Sequence, residues 1–286
     1  MKRLLFILLI AATLFTTTYA EDNNNDNKEM PDNVSILNEI GVLDKVFNDN
    51  YNPEGFVTRA EFSKIIIKML GEMRVNLENQ VTRFKDVDVN NSYAPYINLA
   101  TELCIINGYS NGFFGPDDHI TYIQLIKMLT SVLGYEAYAQ AKGGYPSGYM
   151  IAANNTKITS NVRFLAESAV NQKDMLQMLL NTLEADMLQQ DGIQDHEINY
   201  TVKKGVSLLN ERFHIYKKKG RVTGNEFTRL NSSFSSLNSD EIQLDYDTVY
   251  KVGQTNAAAL IGYEVILYYK QIEESDPLTI VSIQIN

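Results

Sequence analysis

The chain has no tryptophan, one cysteine and three histidines in 286 residues. A single cysteine, Cys104, excludes an internal disulfide, and it lies far from the N-terminal segment where a lipid would be attached. His119, His196 and His214 are far apart in sequence, with no cysteine or paired carboxylate at ligand spacing, so no metal site is expected. Cations are scarce too. The 25 Lys+Arg stand against 35 Asp+Glu, a formal charge of −10. Nucleic acid binding asks for a basic surface, so no nucleic acid partner is expected. An anionic ligand would have to be held by a local cationic pocket. There is no G-x-x-x-x-G-K-[ST] loop and no serine in a nucleophile-elbow setting. With no catalytic constellation and no cofactor motif, the expectation is a protein that is not an enzyme and takes no cofactor. A glycosidase-type carboxylate pair is the constellation that spacing alone leaves open.

Long apolar runs are missing beyond residues 1–20. There Lys2 and Arg3 precede the apolar run Leu4 to Phe15, and Thr18-Tyr19-Ala20 supplies small residues before Glu21. That pattern predicts a secretion signal, with no membrane anchor once it is removed. Residues 21–33, EDNNNDNKEMPDN, are acidic and have little to bury, which predicts a flexible linker.

What is present is a phrase written three times. VTRAEFSKIIIKMLG begins at Val57, with Thr58 as N-cap, Glu61 as its capping-box partner and Phe62, Ile65, Ile66, Met69 and Leu70 as one apolar stripe before Gly71. ITYIQLIKMLTSVLG begins at Ile120, with cap Thr121, partner Gln124 and stripe Leu125, Met128, Leu129, Val132 and Leu133 before Gly134. VNQKDMLQMLLNTLE begins at Val170, with cap Asn171, partner Asp174 and stripe Met175, Met178, Leu179, Thr182 and Leu183. One cap, box and stripe in one register, three times, predicts an internal repeat. Ahead of the first copy, residues 34–46 predict a short helix. Ahead of the second stand Phe84-Lys85-Asp86-Val87, a helix from about Tyr93 to Ile106, and the turn-rich Gly108-Tyr109-Ser110-Asn111-Gly112-Phe113-Phe114-Gly115-Pro116. Asp86 is expected to cap or brace the following helix.

In these motifs the chain resembles the S-layer homology domain, whose three tandem repeats hold exported proteins on bacterial cell walls. FKDV, INGYSNGFFGP and VTRAEF carry the resemblance, with Gly143-Gly144-Tyr145-Pro146-Ser147-Gly148-Tyr149 opening a third copy. It covers roughly Val34 to Leu188. The departures are a first copy without F-x-D-V, Ser92 at the place of the usual tryptophan, and Tyr122 and Gln172 where the family has arginine. Of the three family arginines, Arg59 is retained.

From Tyr200 the pattern changes. Residues 220–228, 241–252, 262–270 and 278–285 alternate or are rich in β-branched and aromatic residues, with turns at Asp245 to Asp247 and Glu273 to Pro277 and a short helix around 256–261. Lys217-Lys218-Lys219 is expected as a solvated turn before the first strand.

The predicted architecture is therefore α+β in two domains. An all-α domain of three helix–loop–helix repeats with pseudo-threefold symmetry spans 34–198, with copies at about 34–72, 82–136 and 143–188. A small all-β barrel or sandwich spans 200–286. The resemblance implies a non-catalytic wall-attachment protein, secreted to the cell surface of a bacterium. It would bind an acidic, pyruvylated secondary cell-wall polysaccharide, with surface-layer proteins as further partners. Arg59 would be the ligand contact, because guanidinium pairs bidentately with carboxylate and a helix's first turn favours an anion. Gly108, Tyr109, Asn111 and Gly112 would form the loop wall beside a sugar, although turn geometry alone also accounts for the glycines. The alternative, favoured by the two missing arginines, is a scaffold whose degenerate repeats no longer bind the wall.

Overall fold

The computed structural model describes residues 34–71, 81–194, 197–231 and 236–286. The expected signal at 1–20, the linker at 21–33 and His196 lie outside the described residues. The first part is helical: α1 Ser35–Glu39, α2 Lys45–Asp49, α3 Arg59–Met69, α4 Ala94–Glu102, α5 Tyr122–Val132, α6 Glu136–Ala141, α7 Ser147–Thr156 and α8 Gln172–Glu184. The strands follow: β1 Asp186–Gln194, β2 Glu197–Ser207, then a short helix α9 Leu208–Phe213, and β3 Ile215–Gly224, β4 Glu241–Leu244, β5 Thr248–Lys251, β6 Glu264–Lys270 and β7 Thr279–Ile285.

The three capped helices form as their sequences dictate. Thr58 Oγ1 accepts from Glu61 N (3.2 Å) and Glu61 Oε2 accepts from Thr58 N (2.8 Å). Thr121 and Gln124 exchange the same pair of bonds at 3.4 and 3.3 Å. Asn171 caps Asp174 N at 2.8 Å, but Asp174 does not complete the expected box. Its carboxylate accepts instead from the Tyr122 hydroxyl of a neighbouring helix, a charge-assisted bond. Every predicted stripe residue is buried except Leu70, which is half-buried. The stripes share one core, and each fully buried Leu, Ile or Met in it contributes about 1.5–3 kcal/mol.

The helix entries are tied to one another in a ring. The first two amides of α3, Arg59 N and Ala60 N, donate to Asp118 O and Pro116 O, just ahead of α5. Those of α5, Tyr122 N and Ile123 N, donate to Ser168 O and Ala166 O, just ahead of α8. Those of α8, Gln172 N and Lys173 N, donate to Gly55 O and Pro53 O, just ahead of α3. Isolated bridges at Thr58–His119, Thr121–Ala169 and Phe56–Asn171 follow the same circuit. Burial of a helix start requires partners for its orphan donors, and here each segment supplies them to the next.

Several expectations are corrected. The helix expected over 34–46 is two short helices, because Gly41 takes φ +71° and Asp44 begins a new cap by accepting from Phe47 N. The strands begin at Asp186, not Tyr200. β1 and β2 form a separate antiparallel pair whose polar residues give no one-sided alternation. The C-terminal part also contains α9, so it is not all-β. Its five strands close as a barrel in the order β3-β4-β5-β7-β6, which settles barrel over sandwich. Lys217, Lys218 and Lys219 lie within β3, opposite Tyr268, Leu267 and Ile266 of β6, and are not a turn. Cross-strand pairing is compatible with their charge because all three side chains stay exposed.

That joint is packed. Tyr268 and Ile215 belong to the same core as the helices. Glu184, at the end of α8, accepts from the Tyr268 hydroxyl and from Lys217 Nζ at 2.7 and 2.9 Å. The hydroxyls of Ser35 and Ser282 share a 2.5 Å hydrogen bond.

Candidate functional site

Arg59 is the first residue of α3 and is only 3% exposed. Its Nε donates to Phe114 O (2.9 Å) and an Nη2 hydrogen to Asn107 O (2.8 Å). The guanidinium lies 4.9 Å from the Tyr109 ring centre and 4.8 Å from that of Phe114. Burial holds its pKa below the usual arginine value, against the pull of Tyr109, Asp118 and Asp86. No carboxylate lies within ion-pair distance of it among the described residues. Arg59, expected as the ligand contact, is thus also a buried brace, holding the 107–114 loop by its carbonyls. The helix start beside it is also not a free anion site, since its first two amides are donated to carbonyls and the third to the cap.

The loop is built from both ends. Asp86 does not cap α4, whose N-cap is Tyr93 without a side-chain bond. Instead its two carboxylate oxygens accept from Phe114 N and Gly115 N, each at 2.7 Å. Gly108 is required by space, because a Cβ there would sit 2.2 Å from the Phe84 ring. Gly112 takes φ +84°, which only glycine adopts without cost. Asn111 Oδ1 accepts from Phe113 N (3.1 Å), closing the turn. Tyr109 donates its hydroxyl to Asp118 Oδ2 (2.8 Å), and burial together with this bond raises its pKa. The predicted loop residues are therefore brought to Arg59, but Asn111 and Gly112 stand at the loop's tip and do not line the cavity beside it.

That cavity, of about 450 Å³, runs from Arg59, Asn107, Gly108 and Tyr109 across Lys127 to Glu136, Gln140, Tyr145 and Tyr149. Lys127 is its second cation. Its Nζ donates to Cys104 O (2.8 Å) and Ile105 O (2.9 Å), with Glu136 at 4.0 Å. Burial lowers its pKa, partly offset by Glu136. Burial would raise the pKa of Glu136, but hydrogen bonds from Ser131, Tyr149 and Gln140 and the charge of Lys127 together hold it below the usual carboxylate value. Tyr145 is 54% exposed at the mouth. The chemistry assembled is two cations, one carboxylate and three phenol rings, which suits a ligand with an anionic group and apolar ring faces.

Sequence reasoning did not place Lys127, Glu136, Gln140, Tyr145 or Tyr149 in the site. One signal was present: Lys127 follows cap Thr121 at the same spacing as Lys64 follows cap Thr58. Lys64 lines a second cavity of about 490 Å³ with Glu61, Ile65, Tyr93, Tyr96 and Gln172. There Lys64 is paired with Asp44 at 2.6 Å, and Gln172 stands at the helix-start position that Arg59 fills in the first.

The geometry defines a helical unit with a cationic, tyrosine-lined cleft, joined to a small barrel. The S-layer homology domain family matches residues 83–126, the stretch from the turn of Phe84 and Asp86 into α5. The chain is 27% identical over 163 residues to the middle cell wall protein of Brevibacillus brevis, covering 57% of this chain and 15% of that protein. It is 24% identical over 270 residues to the surface layer protein of Brevibacillus choshinensis, covering 86% of this chain and 23% of that protein. It is 24% identical over 157 residues to a cell surface protein of Thermoanaerobacter kivui, covering 54% of this chain and 20% of that protein. The matches thus span less than a quarter of each relative's length. Residues 83–126 thus match the S-layer homology domain, and the relatives that the chain resembles are named as cell wall, surface layer and cell surface proteins. The family and these relatives support a general role in anchoring to the cell wall.

Proposed function

We propose that residues 34–188 form three copies of one helix–loop–helix repeat with pseudo-threefold symmetry, and that the groove between Arg59 and Tyr149 binds an acidic secondary cell-wall polysaccharide. The binding is non-catalytic. The closed ring of amide-to-carbonyl bonds among the three helix starts supports the repeat reading. The observation that carries the ligand reading is the pairing of Arg59 and Lys127 in one tyrosine-lined cavity, with Glu136 as the lone carboxylate. Two cations and one carboxylate line the cavity, with Asp86 and Asp118 in electrostatic reach of Arg59 behind it, so Lys127 is the cation that a carboxylate such as a pyruvyl ketal would meet. The tyrosines would lie against the sugar's C–H faces.

In this reading Arg59 supplies charge and shapes the wall, while Lys127 meets the carboxylate. The second cavity is weaker for an anion, because Asp44 already neutralises Lys64 and glutamine replaces the arginine. One competent groove follows. Sedimentation with purified walls tests this, with and without extraction of the acidic polymer. Tyr145→Ala is the informative variant, since Tyr145 is exposed and contributes little to folding. Retention on walls should require the polymer and fall at least fivefold in Tyr145→Ala. Equal retention on extracted walls would reject the acidic polymer as ligand. A scaffold that no longer binds walls would show no retention in either preparation.

A further inference from the structure

Lys127 has one hydrogen left over. An ammonium carries three, and two of them go to Cys104 O and Ile105 O. The side chain is only 14% exposed, so the third meets little water. Glu136 Oε2 is the one carboxylate oxygen within ion-pair distance among the described residues, and at 4.0 Å it is too far to accept that hydrogen. A ligand oxygen in the cavity can accept it.

Glu136, the first residue of α6, is held away from Lys127 by the protein. Its Oε1 accepts from the Tyr149 hydroxyl (2.5 Å) and from Gln140 Nε2 (3.2 Å). Gln140 gives its other amide hydrogen to the Tyr149 oxygen (2.9 Å), so the three side chains close a triangle. Ser131 Oγ lies 2.6 Å from Oε2. Fixed from α5, α6 and α7, the carboxylate cannot swing over to pair with the lysine. Burial opposes its ionisation, yet these hydrogen bonds and Lys127 keep its pKa below the usual carboxylate value. The second cavity shows the other arrangement: there Asp44 closes to 2.6 Å on Lys64 and occupies it.

On the reading of the Arg59–Tyr149 groove as the polysaccharide site, on which this step rests, we infer that Glu136 sets the charge of the ligand. It admits a saccharide with a single negative charge at Lys127, a carboxylate, and disfavours one with two, such as a phosphomonoester. A carboxylate places its one charge on the free ammonium hydrogen, with Glu136 behind. A phosphomonoester carries about −1.5 to −2 at neutral pH, so its further charge faces Glu136. Arg59 does not offset this, because Asp86 and Asp118 are already in its electrostatic reach. Like charges a few ångströms apart in a partly screened cleft cost about tenfold or more in affinity. Glu136 touches no ligand atom here; it acts through its charge and through the Tyr149 ring that it holds.

The test uses the full chain and one disaccharide in two forms, bearing a single pyruvyl ketal or a single phosphomonoester, titrated by calorimetry. At about pH 7 the parent should bind the carboxylate form about tenfold or more tightly than the phosphate form. Towards about pH 5 the phosphate takes up a proton, and its affinity should rise to approach that of the carboxylate form. The other titratable groups lining the cavity are Arg59, Tyr109, Lys127, Tyr145 and Tyr149, and cations and phenols of these kinds titrate above that range. In Glu136→Gln, which keeps an acceptor for Tyr149, the two forms should bind within about threefold of each other, and the pH dependence of the phosphate form should flatten. Equal affinity for both forms in the parent, or an unchanged ratio in Glu136→Gln, would overturn the inference and leave the groove standing. Binding of neither form by the parent would reject the groove reading, and the inference with it. Should Glu136→Gln fail to fold, the parent's pH profile decides: a phosphate affinity that does not rise on acidification overturns the role of Glu136.

Discussion

Arg59→Ala separates two roles that the sequence merges. If Arg59 were an exposed ligand fork, its removal would change stability by no more than about 0.5 kcal/mol. In the structure it donates to two carbonyls and sits against two rings. Hydrogen bonds from a charged donor contribute about 1.5–3 kcal/mol each, and a partly desolvated cation–π contact about 0.5–2 kcal/mol. The cost of burying the guanidinium, visible in its lowered pKa, offsets part of this. The expected net loss is about 3 kcal/mol, because Phe114 O is left buried without its partner. Equilibrium urea unfolding should show the midpoint falling by about 1 M or more with an unchanged slope. Arg59→Lys should recover little, since an ammonium cannot reach both carbonyls from one planar fork. A loss below about 1 kcal/mol in Arg59→Ala would refute the brace, given that deletion of a buried, doubly bonded side chain exceeds surface effects. The consequence for wall binding is direct: loss of retention in Arg59→Ala would not by itself prove ligand contact.

Asp86→Ala should destabilise the chain by about 2–4 kcal/mol in the same assay, because it leaves the amides of Phe114 and Gly115 unpaired; an effect under about 0.5 kcal/mol, the surface range, would contradict this. Wall retention should decline as pH rises through the lowered pKa of Lys127, before ordinary lysines titrate near about 10.4, because the groove loses a cation. Lys127→Met should bind weakly at neutral pH and show no such decline. Glu184→Ala should cost about 2–3 kcal/mol by stranding the buried Tyr268 hydroxyl. It should also loosen the barrel from the helices, read as faster proteolysis between α9 and β3. Thr121→Ala should cost about 1 kcal/mol through loss of its cap bond.

The three helix entries were legible from residue order, because a cap, a box and a stripe are local: each is set by residues within a few turns of chain. Thr58–Glu61 and Thr121–Gln124 form as written, and the stripes point inward. The turn at Asp245 to Asp247 and the last two strands were legible for the same reason. Tertiary structure alone decided where the side chains at those entries go. Arg59 turns inward because the carbonyls of Asn107 and Phe114, about fifty residues away in sequence, lie within reach. Asp174 abandons its box for Tyr122. Lys217 becomes a strand residue because Glu184 and Tyr268 wait across the joint. Lys127 joins Arg59 in one cleft only when α5 and the loop ahead of it are folded together. Local backbone chemistry is written residue by residue, whereas the fate of a charge depends on which distant partner removes it from water.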